Sequence, residues 1–351
     1  MLNGVTAPYK TTVITSTDGP AKPGPFARPG RSPLLMAGLG AATISSSAVL
    51  VALSGASAVS TAFYRTALAL PILAALAVLE QRRLGPRPLA QRLRAAGAGM
   101  FLAVDLILWA HAIADVGAGV ATVLGNLQVL FVAGIAWLLW NERPSRAVAF
   151  ALPVVILGVV LVSGLVGSHA PAGPHPLHPL AGIWFGLGTS VAYSGYLLML
   201  RRSSATSAHI AAPVAEATAG AAGGALAFGL VFGGLVLQPL WPSIGWLAAL
   251  ALLSQTAGWL FIASSLPRLP AAVSSLMLLL QPAASLLLAD LILGQQVTPL
   301  QVLGAILTCG GALAASMSAT RVARTPGGVS LAGTPGPRPG QATTPSAQER
   351  R

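Results

Sequence analysis

Ten apolar runs divide this chain, and its basic residues keep to every second gap between them. Of the 20 Lys and Arg residues, nineteen fall in the two tails or in even-numbered gaps. The twentieth, Arg65, lies inside a run. The gaps at 54–58, 115–116, 167–179, 238–243 and 294–299 contain no Lys or Arg. The others hold Arg82, Arg83, Arg87, Arg92 and Arg94, then Arg143 and Arg146, then Arg201 and Arg202, then Arg268. Retention of Lys and Arg on the cytoplasmic side of a membrane gives this alternation. The chain is therefore expected to cross a plasma membrane many times, with both termini in the cytoplasm.

The runs are Pro33–Leu53, Val59–Leu79, Ala95–Ala114, Gly117–Trp140, Ala147–Val166, Leu180–Leu200, Pro213–Leu237, Ile244–Leu266, Ala271–Leu293 and Leu300–Thr320. Each is close to the roughly 20 residues a helix needs to span about 30 Å of hydrocarbon. Lipid offers the backbone no hydrogen bonds, so every span must be helical. Only 8% of the residues are charged and 54% are hydrophobic, against about a quarter charged in soluble domains. Lipid must therefore solvate most of the outside. The net charge of +12 would suit nucleic acid, but its placement beside hydrophobic runs fits membrane topology, and no nucleic-acid partner is expected. A single cysteine, Cys309, excludes an internal disulfide. Residues 1–32 and 321–351 read as disordered cytoplasmic tails, and 167–179 as an outer linker.

The chain also repeats. A shift of 153 residues lays Gly119–Ser163 on Ala272–Ser316 without a gap, with seven of 45 positions identical. Gln128 falls on Gln281, each inside an apolar run. The units, 33–166 and 180–320, have five spans each. An odd number of crossings turns the second copy upside down, and inverted repeats around a central site are a recurring transporter design. The expected fold is all-α integral membrane, with ten transmembrane helices in two inverted five-helix repeats.

A series of loose motifs runs through both halves. Span two carries Ser60-Thr-Ala-Phe-Tyr-Arg65, and spans end in Trp140-Asn-Glu142 and Leu293-Gly-Gln295. Gln281-Pro282 lies mid-span, and a glycine-rich helix follows from Gly304 to Gly311. Over residues 33–320 this series resembles the drug/metabolite transporter superfamily, EamA type. The resemblance implies export or exchange of small metabolites, often driven by an ion gradient. Gln295 stands where that family often has Glu, and Gln128-Val129 replaces a proline of the first half.

Polar groups inside apolar runs are the candidates for a cavity. Arg65 lies six residues into its span, so roughly 9 Å deep at 1.5 Å per residue, where a charge is costly unless paired or hydrated. It either anchors an anionic group or pairs structurally. Asp105, near the midplane of span three, is its natural partner and the candidate for proton coupling. Trp109 shares the Asp105 face at i+4. Asn126, Gln128 and Gln281 must find hydrogen-bond partners or face water. Gln255 and Trp259 in span eight, and Tyr193 and Tyr196 in span six, could line the same space. Pro282 should interrupt span nine beside Gln281, which leaves the first half without a matching interruption. Glu216 reads as an acid in the first turn of a helix begun by Pro213, Asp290 and His111 as interfacial, and Glu142 as structural. Gly229-x-x-x-Gly233 permits close helix contact. His169, His175 and His178 punctuate a proline-rich loop that reads as an extended linker rather than a metal site.

The expected function is secondary active transport, as an exporter, of small neutral, zwitterionic or amphipathic metabolites or drugs. Protons are the expected coupling ion, and no cofactor is expected. Few internal charges disfavour phosphorylated cargo, and no phosphate-binding loop is present for an ATP-driven pump. The alternatives are an intramembrane enzyme, which lacks any His-Glu-x-x-His or Gly-x-Ser-x-Gly motif, and a structural or channel subunit, which an internal repeat disfavours. Nothing in the sequence selects monomer over homodimer.

Overall fold

The computed structural model describes residues 33–140, 146–162, 178–204, 208–265 and 271–324. Residues 1–32 and 325–351, with Glu142, Arg143, His169, His175 and Arg268, lie outside the described residues, while 321–324 of the expected tail continue the last helix. Among the described residues every regular element is a helix. In chain order they are α1 (Pro33–Ser54), α2 (Ala58–Leu84), α3 (Leu89–Val116), α4 (Ala118–Gly125, resuming as Gln128–Trp140) and α5 (Arg146–Val162), then α6 (Pro179–Ser204), α7 (Ala211–Phe232), α8 (Ser243–Ser265), α9 (Ala271–Leu293) and α10 (Pro299–Arg324). Six of them, α1, α2, α3, α6, α7 and α8, are long and apolar enough to cross a membrane. The described apolar stretches of α4, α5, α9 and α10 are shorter, at 10–17 residues.

Contacts between the two halves come in matched pairs. The largest joins α3 to α6, and α8 packs on α1 in the corresponding way. Likewise α4 meets α6 while α9 meets α1, and α3 meets α7 while α2 meets α8. The pairs α2–α7, α4–α9 and α5–α10 are their own counterparts.

Glycines let these helices approach at backbone distance. A Cβ added at Gly99 of α3 would lie 2.1 Å from the Ala217 carbonyl of α7, and one at Gly220 of α7 would lie 2.0 Å from the Ala96 carbonyl. Between α5 and α10, a Cβ on Gly158 would lie 2.4 Å from Thr308 Oγ1. In lipid no hydrophobic force gathers helices, so such small-residue contacts supply the packing.

The helices α2 and α7 are tied together at both ends. At the end rich in arginine, Glu80 is fully buried and accepts hydrogen bonds from the Ile210 and Ala212 amides at 2.7 and 2.8 Å. It thereby caps the start of α7 from another helix, satisfying donors that no residue of α7 can reach. Arg87 there pairs with Glu216 and donates to the Ser203 carbonyl at 2.8 Å. Burial lowers the Arg87 pKa from its ordinary value, against the opposing pull of Glu216 and Glu80. Arg92 Nε stands 3.4 Å from the other Glu216 oxygen, an ion pair without hydrogen-bond geometry. At the opposite end, Ser57 and Ser60 donate to the Gly234 carbonyl, Ser60 accepts from the Val236 amide at 2.8 Å, and Tyr64 donates to the Leu237 carbonyl at 2.6 Å.

Helix α7 differs from the expected span. It begins at Ala211, so Pro213 lies within the first turn but Glu216, the sixth residue, lies beyond it, and the acid at its start is Glu80 instead. It stops at Phe232 because Gly233 and Gly234 both take φ of +81°. Gly233 is thus a terminator and does not continue a helix face with Gly229.

Candidate functional site

Arg65 owes its setting to a break in α2. The helix is interrupted at Leu68–Ala69, where Pro71 brings no amide proton to the next turn. Arg65 therefore lies in the last turn of a short segment, Ala58–Ala67, where free carbonyls favour a cation. Its guanidinium is buried, and each of its three nitrogens donates one hydrogen bond. Nε donates to Gln255 Oε1 at 3.0 Å, Nη1 to Ser47 Oγ at 3.0 Å and Nη2 to Ser254 Oγ at 3.1 Å. Its Cζ lies 5.7 Å from the Trp109 ring centroid, within cation–π range. Ser47 follows the interruption of α1 at Ser46, and α8 widens to i→i+5 bonding across Leu250–Gly258 where Ser254 and Gln255 lie. Such widened turns recur at functional sites.

No ion pair joins Arg65 to Asp105. The two attract through space, but the arginine nitrogens are held by three neutral oxygens from α1 and α8. Asp105 is buried on α3 and, among the described residues, its carboxylate makes no hydrogen bond or ion pair. It faces the same cavity as Arg65 and Trp109.

The interruption expected at Pro282 lies instead in the other half. Helix α9 runs unbroken through Pro282, whereas α4 breaks at Asn126–Leu127. Polar side chains stabilise the break. Asn126 Nδ2 donates to the Thr122 carbonyl at 2.8 Å. Ser190 of α6 donates to the Leu124 carbonyl at 2.7 Å, and Ser194 to the Gln128 carbonyl at 3.2 Å. Side chains of the facing helix thus add hydrogen bonds to α4 carbonyls around the break, where the Leu124 carbonyl also accepts from the Leu127 amide at 3.0 Å. Gln128 follows the break, and its buried Oε1 has no partner. Gln128 and Gln281, which coincide in the sequence repeat, both line the cavity.

The cavity has a volume of about 200 Å³. Residues from both halves enclose it: Arg65, Asp105, Trp109, Asn126 and Gln128 on one side, Tyr193, Trp259 and Gln281 on the other. Tyr196 does not reach it. It lies buried behind, stacked on Tyr193 at 5.6 Å and edge-on to Trp259 at 5.6 Å. Gln255 also stands behind the wall, holding Arg65 and donating to Thr218 Oγ1 at 3.1 Å.

The model of the EamA-like transporter family matches residues 32–164 and 180–317. The chain belongs to that family. It is accordingly a multi-pass membrane transporter of the drug/metabolite type. A solved crystal structure of a protein 19% identical to this EamA chain superposes with a TM-score of 0.56, over 83% of this chain and 98% of the other. That likeness concerns the fold. No curated protein matches the chain.

Other polar residues of this EamA-like transporter stand away from the cavity. Glu216 belongs to the α2–α7 tie. Asp290 is exposed on α9, beside a groove that also holds Cys309. His111 is exposed and stacks on Phe185 at 5.0 Å. Gln295 accepts from the Ala118 amide at 3.2 Å, so an amide oxygen serves as this helix cap. Its partner loop needs Gly117, whose φ is +87° and whose added Cβ would lie 2.8 Å from Gln295 Oε1. Sequence reasoning missed Ser47, Ser254, Ser190, Ser194 and Thr189. Small hydroxyls are common in membrane helices, and only the break positions would have singled these out.

Proposed function

We propose that this protein is a secondary transporter that exports small organic solutes across the plasma membrane by exposing the central cavity to each side in turn. Ten crossings in two inverted five-helix repeats, with both termini cytoplasmic, are the architecture of that reading. The matched contacts between halves and the presence of both Gln128 and Gln281 in the lining of one cavity support it. The observation that carries it is the cavity between the halves, lined by a buried arginine, an unpaired acid and aromatic rings. Asp105 is the proton-coupling residue, because a buried carboxylate with no fixed partner can exchange its proton as the cavity changes sides. Arg65 is the fixed electrostatic element of the wall.

Flux in proteoliposomes, measured with and without a pH gradient, tests this. Solute movement should follow the gradient and fall at least tenfold in Asp105→Asn. Gradient-independent flux that survives Asp105→Asn would remove Asp105 from coupling. Purified protein that binds solutes yet moves none would remove transport itself.

A further inference from the structure

A groove of about 410 Å³ runs between α9 and α10, apart from the central cavity. Leu286, Leu287 and Asp290 line it from α9, and Val302, Ile306 and Cys309 from α10. Leu287, Val302 and Ile306 are exposed, so the groove opens on the apolar outer surface of the bundle. Asp290 is the one charged residue of its lining.

The chain gives this acid nothing to meet. Asp290 lies in the last turn of α9, which ends at Leu293, and the free carbonyls of a helix end repel an anion. Its side chain makes no hydrogen bond or ion pair among the described residues. The five gaps that fall at this end of the ten-span arrangement contain no Lys or Arg. The repeat does not ask for an acid here either, since the shift of 153 residues sets Trp137 at the matching position. Depth then gives the groove a polarity. Asp290 stands three residues from the end of α9, so about 4.5 Å below it at 1.5 Å per residue. Cys309 is ten residues along α10 from Pro299, about 15 Å in, which is near the middle of ~30 Å of hydrocarbon. The groove therefore spans one leaflet, with a negative rim and an apolar floor.

We propose that this groove binds one phospholipid whose headgroup carries a primary ammonium, with the ammonium on Asp290 and an acyl chain along Val302 and Ile306 towards Cys309. A charge-assisted hydrogen bond to the carboxylate needs an N–H donor, which an ethanolamine headgroup has and a choline headgroup lacks. A second copy of the chain fits worse. A twofold axis along the membrane normal would set this face on itself, bringing two Asp290 carboxylates to one rim with no Lys or Arg to answer them. That the lipid comes from the outer leaflet rests on the orientation proposed above; binding itself does not depend on transport.

Native mass spectrometry of the full chain tests this, with phosphatidylethanolamine, phosphatidylcholine and phosphatidylglycerol of identical acyl chains as probes. The ethanolamine lipid should be retained at least fivefold more than either of the others. Asp290→Asn should cut that preference to less than twofold, and Asp290→Lys should turn it towards phosphatidylglycerol. Val302→Trp fills the groove from an exposed position and should lower ethanolamine-lipid binding at least threefold, whereas Leu303→Trp, exposed beside it but outside the lining, should not. Equal retention of the three lipids by the unmodified protein overturns the inference, as does a preference that survives Asp290→Asn. A stable dimer without lipid preference gives the groove to a second copy and overturns it too. The lipid panel decides without any variant, so a misfolded substitution leaves the test intact. Solute flux without the lipid preference removes this inference and leaves transport standing; the preference without flux does the reverse.

Discussion

Gln255 ties Arg65 to Thr218, accepting from the guanidinium Nε at 3.0 Å and donating to the threonine hydroxyl at 3.1 Å. One fully buried amide thus joins α2, α8 and α7 at the back of the cavity. Gln255→Leu keeps the volume but leaves the arginine Nε and the threonine without that partner, and such buried groups are unfavourable by about 1–3 kcal/mol each. The variant is expected to unfold at lower temperature in detergent and to lose flux. A variant as stable as the parent would show that water replaces the amide.

Arg65→Lys should also fail, despite keeping the charge. Three acceptors from two helices surround a planar fork, and a single ammonium cannot reach the same set. Stability and flux should both drop. Flux equal to the parent's would mean that only the charge matters.

Glu80→Ala removes the cap that α7 receives from α2. Loss of a helix cap is unfavourable by about 0.5–2 kcal/mol, and Glu80 serves two amides. The variant should be less stable by an amount of that size in a reversible unfolding measurement. Flux per folded molecule should stay near that of the parent, because Glu80 is remote from the cavity lining.

Glycine substitutions along α7 should separate by position. At Gly220 an added methyl meets the Ala96 carbonyl at 2.0 Å, whereas at Gly223 nothing lies within 4 Å. Gly220→Ala should force α3 and α7 apart, at about 1–3 kcal/mol for such overpacking. Gly223→Ala should be neutral or slightly stabilising, since alanine favours helix. Thermal unfolding of the pair side by side checks the contrast.

Double substitution of Ser190 and Ser194 to Ala should unsettle the break in α4. The Leu124 and Gln128 carbonyls would lose these donors. A net hydrogen bond contributes about 0.5–1.5 kcal/mol, so a loss of up to roughly twice that is expected. Hydrogen exchange around residues 124–130 should rise, and unchanged exchange there would place the support elsewhere.

Much of this could be read from the chain because lipid imposes simple rules. Runs of apolar residues had to be helices, and Arg65, Asp105, Gln128 and Gln281 stood out because polar groups in lipid need a reason. What escaped was local. The sequence pointed to Pro282 as the interruption, yet α9 passes through it and α4 breaks at Asn126, where side-chain hydrogen bonds compete with the helix ladder. Proximity of Arg65 and Asp105 in depth suggested a pair, but pairing depends on which acceptors lie closer in three dimensions. Ser254 and Gln255 are adjacent, and neighbours on a regular helix point about 100° apart. They reach one guanidinium where α8 widens, a departure from regular geometry that periodicity does not register.

The two fastenings between α2 and α7 are chemically unlike. One is made of Glu80 and, from the loop after α2, Arg87 on Glu216, which Arg92 of α3 also meets, the other of serine and tyrosine hydroxyls on backbone groups. A membrane separates two solutions, so each end of this seam meets a different one. Mobile ions weaken charge pairs that they can reach, and Arg92 is half exposed, whereas hydroxyl bonds to the backbone are indifferent to them. The ionic strength of a single compartment can therefore loosen the seam from one end and not from the other, which gives a helix pair of nearly uniform apolar sequence a built-in polarity.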